Sequence, residues 1–174
     1  MRYVVRTKAH RSGTDFWIYD NSDELAYKLK PTAFSATWTH FLTDSKDAEI
    51  FVMRKIGKWR LTYEFFQNGH LVAELTEHGW LRPFLASFRL TADGRTIYTI
   101  KRRFRNGYNF ISGKKRVAKF VKPFFRMHPT HGHLYIDERE HEQLIISAFG
   151  VLHAVDAERE SLIDNVHDGL RAGS

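Results

Sequence analysis

The sequence predicts a mainly β protein, a closed antiparallel β-barrel around one buried C-terminal helix. Two observations carry that prediction. Five turn signals recur about every 24 residues, the length of a two-stranded unit with its connection. They are Asp20-Asn21-Ser22-Asp23, Asp44-Ser45-Lys46-Asp47, Asn68-Gly69, Asp93-Gly94 and Ser112-Gly113. After them comes one almost wholly apolar stretch, Leu144 to Val155. A sheet wrapped around that stretch buries it and leaves no free strand edges.

The elements follow in order. Tyr3-Val4-Val5-Arg6-Thr7-Lys8 reads as an opening strand, too charged and too short of apolar residues for a signal peptide. Leu25, Tyr27 and Leu29 alternate with Ala26, Lys28 and Lys30, and Leu71, Ala73 and Leu75 alternate with Val72, Glu74 and Thr76, giving each strand one apolar face. Asn68-Gly69 and Asp93-Gly94 are hairpin signals because a type I′ turn needs positive φ at both central residues. Phe51-Val52-Met53 and Phe65-Phe66 are apolar on both faces, so a further segment, the tail from Asp156 onward, is expected to cover the outer one.

The stretch from Leu144 to Val155 makes roughly 18 Å of helix at about 1.5 Å per residue, well short of a bilayer core of about 30 Å. Apolar on nearly all sides, it reads as a core helix over about 140–156, with Glu138, Glu140 and Glu142 at its electropositive N-terminal end. Residues 1–159 form the expected barrel domain. Residues 160–174 are a tail in which Leu162, Ile163, Val166 and Leu170 make an apolar helical stripe.

Composition bounds the function. The 174 residues suit a single domain, with apolar residues at 43% and charged residues at 27%, as in globular proteins. Without cysteine there are no disulfides, zinc-thiolate sites or cysteine nucleophiles, which fits a reducing compartment.

The order of elements resembles the tubby C-terminal-like superfamily, and within it the LURP-one-related group, with phospholipid scramblases as distant relatives. The resemblance rests on the opening strand, the unit Phe16-Trp17-Ile18-Tyr19-Asp20 to Leu25-Ala26-Tyr27-Lys28-Leu29-Lys30, the later hairpins, and the helix Ala148 to Asp156. It covers about Tyr3 to Arg159. It implies a 12-stranded barrel around a central C-terminal helix. Tubby-like domains are known for binding phosphoinositides and scramblases for acting at bilayers, but no positions here match the tubby headgroup ligands. The scramblase cysteine and calcium segments have no counterpart. Asp20-Asn21-Ser22-Asp23-Glu24 lacks the central Gly and distal Glu of a calcium loop and reads as a plain turn.

Charge is the remaining clue. The net charge is +7, and the window from Lys101 to Arg126 contains Lys101, Arg102, Arg103, Arg105, Lys114, Lys115, Arg116, Lys119, Lys122 and Arg126 without one acid. Second strands of hairpin units end in Lys30, Arg54-Lys55, Lys101-Arg102-Arg103 and Lys122, which aligned hairpins would gather at one barrel rim. The expected activity is therefore non-enzymatic binding of an anionic membrane surface or phosphoinositide-type headgroup by that rim, each nearby cation contributing about 1 kcal/mol. Arg54, Lys55, Lys101, Arg102, Arg103 and Lys122 are the candidate contacts, and reversal of Lys101, Arg102 and Arg103 is expected to abolish binding with the fold intact. The bland alternative makes these residues solvated gatekeepers against edge pairing.

Nucleic acid is the weaker partner class. Phe104, Tyr108, Phe110, Phe120, Phe124 and Phe125 interleave with the cations, yet aromatics at strand spacing read as core. His128, His131 and His133 are weak metal candidates, since Pro129 and Gly132 mark a turn and a hydrolase also needs a general base. His153 is expected to pair with Asp156 structurally. No phosphate loop, nucleophile elbow or zincin motif is present, so no catalytic residue and no cofactor is expected. A structural or adaptor role, presenting apolar residues such as Trp38, Trp59 or Trp80 to a protein partner, is the alternative. The protein is expected to be a cytoplasmic monomer, peripheral to the membrane.

Overall fold

The computed structural model describes residues 1–10, 13–31, 38–57, 61–78, 87–103, 107–121, 130–137 and 141–156, and statements of absence below concern these residues. The strands are β1 (Arg2–His10), β2 (Gly13–Tyr19), β3 (Leu25–Pro31), β4 (Thr39–Asp44), β5 (Glu49–Ile56), β6 (Thr62–Gln67), β7 (His70–His78), β8 (Ser87–Ala92), β9 (Arg95–Arg103), β10 (Gly107–Ser112), β11 (Lys115–Val121) and β12 (Thr130–Ile136). Each pairs antiparallel with its sequence neighbours, and β12 returns to β1 to close the barrel. One helix, α1 (residues 142–156), fills it. The predicted architecture is the observed one.

Turn chemistry sets the hairpins. Asp20 Oδ1 accepts the backbone N–H groups of Ser22 and Glu24 at 2.8 and 3.0 Å, and Asp44 Oδ1 accepts those of Lys46 and Ala48 at 2.8 and 2.9 Å. These are side-chain-capped turns, as expected of Asp20, and they use Asp23 and Asp47 at positive φ. Asn68-Gly69 and Asp93-Gly94 supply the two consecutive positive φ values of a type I′ turn. All five hairpins also shift register beside the turn, at Ile18/Tyr19, Leu42/Thr43, Phe65/Phe66, Leu90/Thr91 and Phe110/Ile111. Such bulges bend and twist a strand, which is what closing a sheet requires.

A bulge also changes which face a residue occupies, and this corrects one expectation. Ala73 and Leu75 are buried as the alternation predicts, but Leu71, beyond the Phe65/Phe66 shift, is 56% exposed, and Val72 packs against the core in its place.

The helix is buried from Leu144 to His153. Phe149 meets Phe120 with ring centroids 4.5 Å apart, and Gly150 lets Leu29 approach so closely that a Cβ there would lie 2.7 Å from a Leu29 methyl. At the N-terminal end, the Tyr3 and Tyr27 hydroxyls both donate to Glu142 Oε1, at 2.7 and 2.9 Å. Burial and then the bond to this carboxylate push the Tyr27 phenol up to about 12, and the same causes raise Tyr3 further. Glu138 and Glu140 lie outside the described residues.

The alternation of strand direction gives the barrel two unlike rims. The five tight turns and the start of α1 share one rim. The C-terminal ends of the odd-numbered strands share the other with Asp156. No described helix is long and apolar enough to cross a membrane. The tail 160–174, with its Leu162-to-Leu170 stripe, lies outside the described residues.

Candidate anion-binding surface

Strand direction places the backbones of Arg54-Lys55 and Lys101-Arg102-Arg103 toward the same rim, on β5 and β9. The wall between them spans four strand spacings, about 19 Å at about 4.8 Å each. Their side chains go different ways. Lys101 is exposed on the outer face. Arg102 continues the inward phase of Tyr98 and Ile100 and donates to Asp156 Oδ1 at 3.0 Å, with its side chain only 14% exposed. Arg54 lies outside over the Phe66 ring at 5.0 Å, and the Lys55 ammonium sits 5.6 Å from the centroid of the Trp38 ring. Arg103 is described by its backbone, which pairs with Gly107, and Lys122 lies outside the described residues.

Arg102 thus serves the fold. Asp156 is the last described residue of α1, and its carboxylate is almost fully buried. Arg102 offsets that charge, and the Tyr108 hydroxyl donates both to Asp156 and to the Leu152 carbonyl, the latter at 3.2 Å. Beside them His153 packs among the rings of Phe16, Phe120 and Phe149. The triple reversal of Lys101, Arg102 and Arg103 would place a second carboxylate, at position 102, against Asp156, so it tests the fold together with the surface.

A broader positive surface emerges from the strand order. Strands β8 to β12 and β1 are six consecutive neighbours in the closed sheet, and none contains an aspartate or glutamate. The strand carboxylates, Asp15, Asp44, Glu49, Glu64, Glu74 and Glu77, all fall on β2 to β7. Register then assembles a row across the acid-free half. Lys101 pairs with Asn109, Asn109 with Lys119, Lys119 with Tyr135, and Tyr135 with Arg2. Their inward neighbours, Ile100, Tyr108, Phe110, Phe120, Leu134 and Tyr3, are buried, so the row faces outward.

Barrel strands tilt against the axis. The row therefore runs diagonally, from Lys101 near the end of β9 to Arg2 at the start of β1, over about 19 Å of wall. The Lys119 ammonium rests 4.7 Å from the Tyr135 ring centroid, and the Arg2 guanidinium lies 3.3 Å from His133 Nδ1. Burial, and then the Arg2 charge, lower the His133 pKa. Lys101, Lys119 and Arg2 share this face with no described carboxylate in an ion pair to them. By contrast, Lys28 and Lys30 on the other half are both bound to Asp47 at 2.8 Å.

Several sequence-level candidates find other roles. Tyr108, Phe110 and Phe120 are buried and face α1, so they offer no bases a stacking platform. His133 is on the outer wall, His128 and the His131 side chain lie outside the described residues, and no group of three or more His, Asp or Glu side chains among the described residues is placed to hold a metal ion. Trp38 is 49% exposed, whereas Trp59 and Trp80 lie outside the described residues. Sequence reasoning missed Asn109, Tyr135 and Arg2, which the pairings of β9 to β11, β11 with β12, and β12 with β1 bring into the row.

His40 is buried beneath Lys55 and edge-on to Tyr63, at 5.9 Å between ring centroids. Burial, and secondarily the Lys55 charge, lower its pKa to about 4. In the unfolded chain the ring protonates near its ordinary value of about 6.5, so between those limits the unfolded state takes up a proton that the folded state refuses. Stability is therefore expected to fall as pH drops from about 6.5 to about 4, by up to about 3 kcal/mol, and to lose no more to this group below that. Urea midpoints of the wild type and His40→Leu across this range check it. The His40→Leu slope is expected to be shallower.

The chain matches no curated protein and no solved structure. A family model described as LURP-one-related matches residues 1–148, through β12 and into the first turns of α1. On that match, with the twelve-stranded barrel closed around its helix, the chain belongs to the LURP-one-related family.

Proposed function

We propose that this protein binds anionic, phosphate-bearing membrane surfaces, without catalysis, through the acid-free wall formed by β8 to β12 and β1. The observation that carries the reading is the separation of charge: six adjacent strands without a carboxylate, crossed by Lys101, Lys119 and Arg2 in one register row. A wall of one sign orients the molecule at a charged surface and raises its encounter rate. Basic side chains near an anionic leaflet contribute about 1 kcal/mol each, so three in a row, helped by exposed Arg89 and Arg116, supply a weak, reversible, salt-sensitive attachment. This makes the protein peripheral to a membrane, and it moves the contact surface from the rim to the wall while keeping Lys101 as a member of both.

Lys101→Glu with Lys119→Glu is the variant that separates binding from folding, because both side chains face outward and neither is ion-paired to a described carboxylate. The pair of reversals removes two attractions and adds two repulsions. Co-sedimentation with vesicles containing phosphatidylserine or a phosphoinositide is expected to drop at least tenfold, with an unchanged thermal midpoint. Equal binding by wild type and variant, or binding indifferent to vesicle charge, would sink the proposal and favour the protein-docking alternative.

A further inference from the structure

The opposite half of the barrel has a groove that the anionic-surface reading does not use. It lies over β4, β5 and β6, has a volume of about 680 Å³, and falls within the size range of small-molecule sites. Its floor is apolar. Register aligns Phe41 with Val52 and Val52 with Phe66, all on the outer face and only half-buried. Val52 and Phe66 belong to the two stretches that are apolar on both faces of a strand, and Phe41 extends their row. The Arg54 guanidinium lies over this floor, 5.0 Å from the Phe66 ring centroid.

The groove's ends are unlike. Toward the rim it is bounded by Arg54, Lys55 and Thr39, and toward the tight turns by Glu49 and Gly69. Along β5 the distance from Glu49 to Lys55 is six residues, about 20 Å at about 3.3 Å each. Neither Arg54 nor Lys55 forms an ion pair with a described residue; each instead sits over an aromatic ring. Two cations beside a hydrophobic channel suit a ligand with one anionic end and one hydrocarbon chain. Glu49 at the far end repels the anionic head and so fixes which way the ligand lies.

We infer that the groove is a binding site for a single-chain anionic amphiphile, a long-chain carboxylate or monoalkyl phosphate. The head meets Arg54 and Lys55 at the rim, and the chain lies over Phe41, Val52 and Phe66. Displacement of the Arg54 guanidinium from Phe66 toward the head would expose the floor to the chain. Such a ligand can come from free solution or from a membrane leaflet, and the shared chemistry is the anionic head with one chain.

Isothermal titration with dodecanoate below its aggregation concentration tests this, with dodecanol as the chain-only control and acetate as the head-only control. Saturable one-to-one binding of dodecanoate, at least tenfold tighter than dodecanol and with none for acetate, is the expected result. Arg54→Glu with Lys55→Glu is expected to weaken it at least tenfold, and Val52→Asp to do the same by charging the floor. Because Val52→Asp charges the half-buried floor itself, the pair at Arg54 and Lys55, exposed and half-buried, is the deciding variant, read alongside an unchanged thermal midpoint. Monomeric dodecyl phosphate that binds as well in solution as when presented in neutral vesicles identifies free ligand as a sufficient source; binding only in vesicles identifies the leaflet. No saturable heat, or equal binding by dodecanol, or full binding by the charge-reversed pair, overturns the inference. The titrations contain no anionic vesicle, so their failure leaves the wall proposal to its own test.

Discussion

Asp156→Ala is expected to destabilise the barrel by about 3 kcal/mol, read as a shift in urea midpoint. The Asp156 side chain is 4% exposed and that of Arg102 14%. Removing one partner of a buried pair leaves the other charge desolvated without compensation, and this costs about 3–5 kcal/mol. The lower end applies because Arg102 keeps some access to water. Tyr108 loses the same carboxylate. A combined Asp156→Leu and Arg102→Met variant removes both charges together and is expected to recover most of the loss, since replacing a buried pair by apolar residues is often neutral. If the double variant is no more stable than Asp156→Ala, the pair is not what links α1 to the wall.

Phe149→Ala is expected to cost about 3–5 kcal/mol, the lost burial of the ring plus the cavity it leaves. Its ring lies within 4.5 Å of Phe120 and 5.6 Å of His153, centroid to centroid, at the centre of the sheet's enclosure. A closed barrel cannot collapse readily around a missing side chain, because its circumference is fixed by strand number and register. Phe149→Leu keeps most of the volume and is expected to cost under about 1.5 kcal/mol. Equilibrium unfolding followed by two probes checks both values, and a small cost for the alanine variant would mean that α1 is loosely held.

These two predictions concern features of different legibility. The helix was plain in the sequence, because the run from Leu144 to Val155 is apolar on all sides and too short for a bilayer. The hairpins were equally plain, because Asp-Gly and Asn-Gly turns act locally. Arg102 was half legible: the alternation Tyr98, Ile100, Arg102 puts it inward, but nothing local names Asp156, 54 positions away, as its partner. The wall row was not legible. Lys101 and Lys119 could be seen as basic, yet their alignment with Arg2 depends on the β12–β1 pairing and its register. Bulges compound the difficulty, since one extra residue moved Leu71 from the inner face to the outer.

The same register logic explains why the two proposed surfaces are distinct. The wall row carries cations separated by polar or aromatic side chains, suited to a broad charged surface. The row over β4 to β6 carries Phe41, Val52 and Phe66, suited to a hydrocarbon chain. Both are outward rows of one sheet, and the shape of the barrel keeps them on opposite halves.

The most direct test of the central claim is an amide chemical-shift map, recorded as isotope-labelled protein is titrated with bicelles containing phosphatidylserine and then with neutral bicelles. The account predicts shifts concentrated on β9 to β12 and β1, around Lys101, Asn109, Lys119, Tyr135 and Arg2, that require the acidic lipid and fade as salt is raised. Shifts confined to β4 to β7, or equal shifts with neutral bicelles, would contradict it.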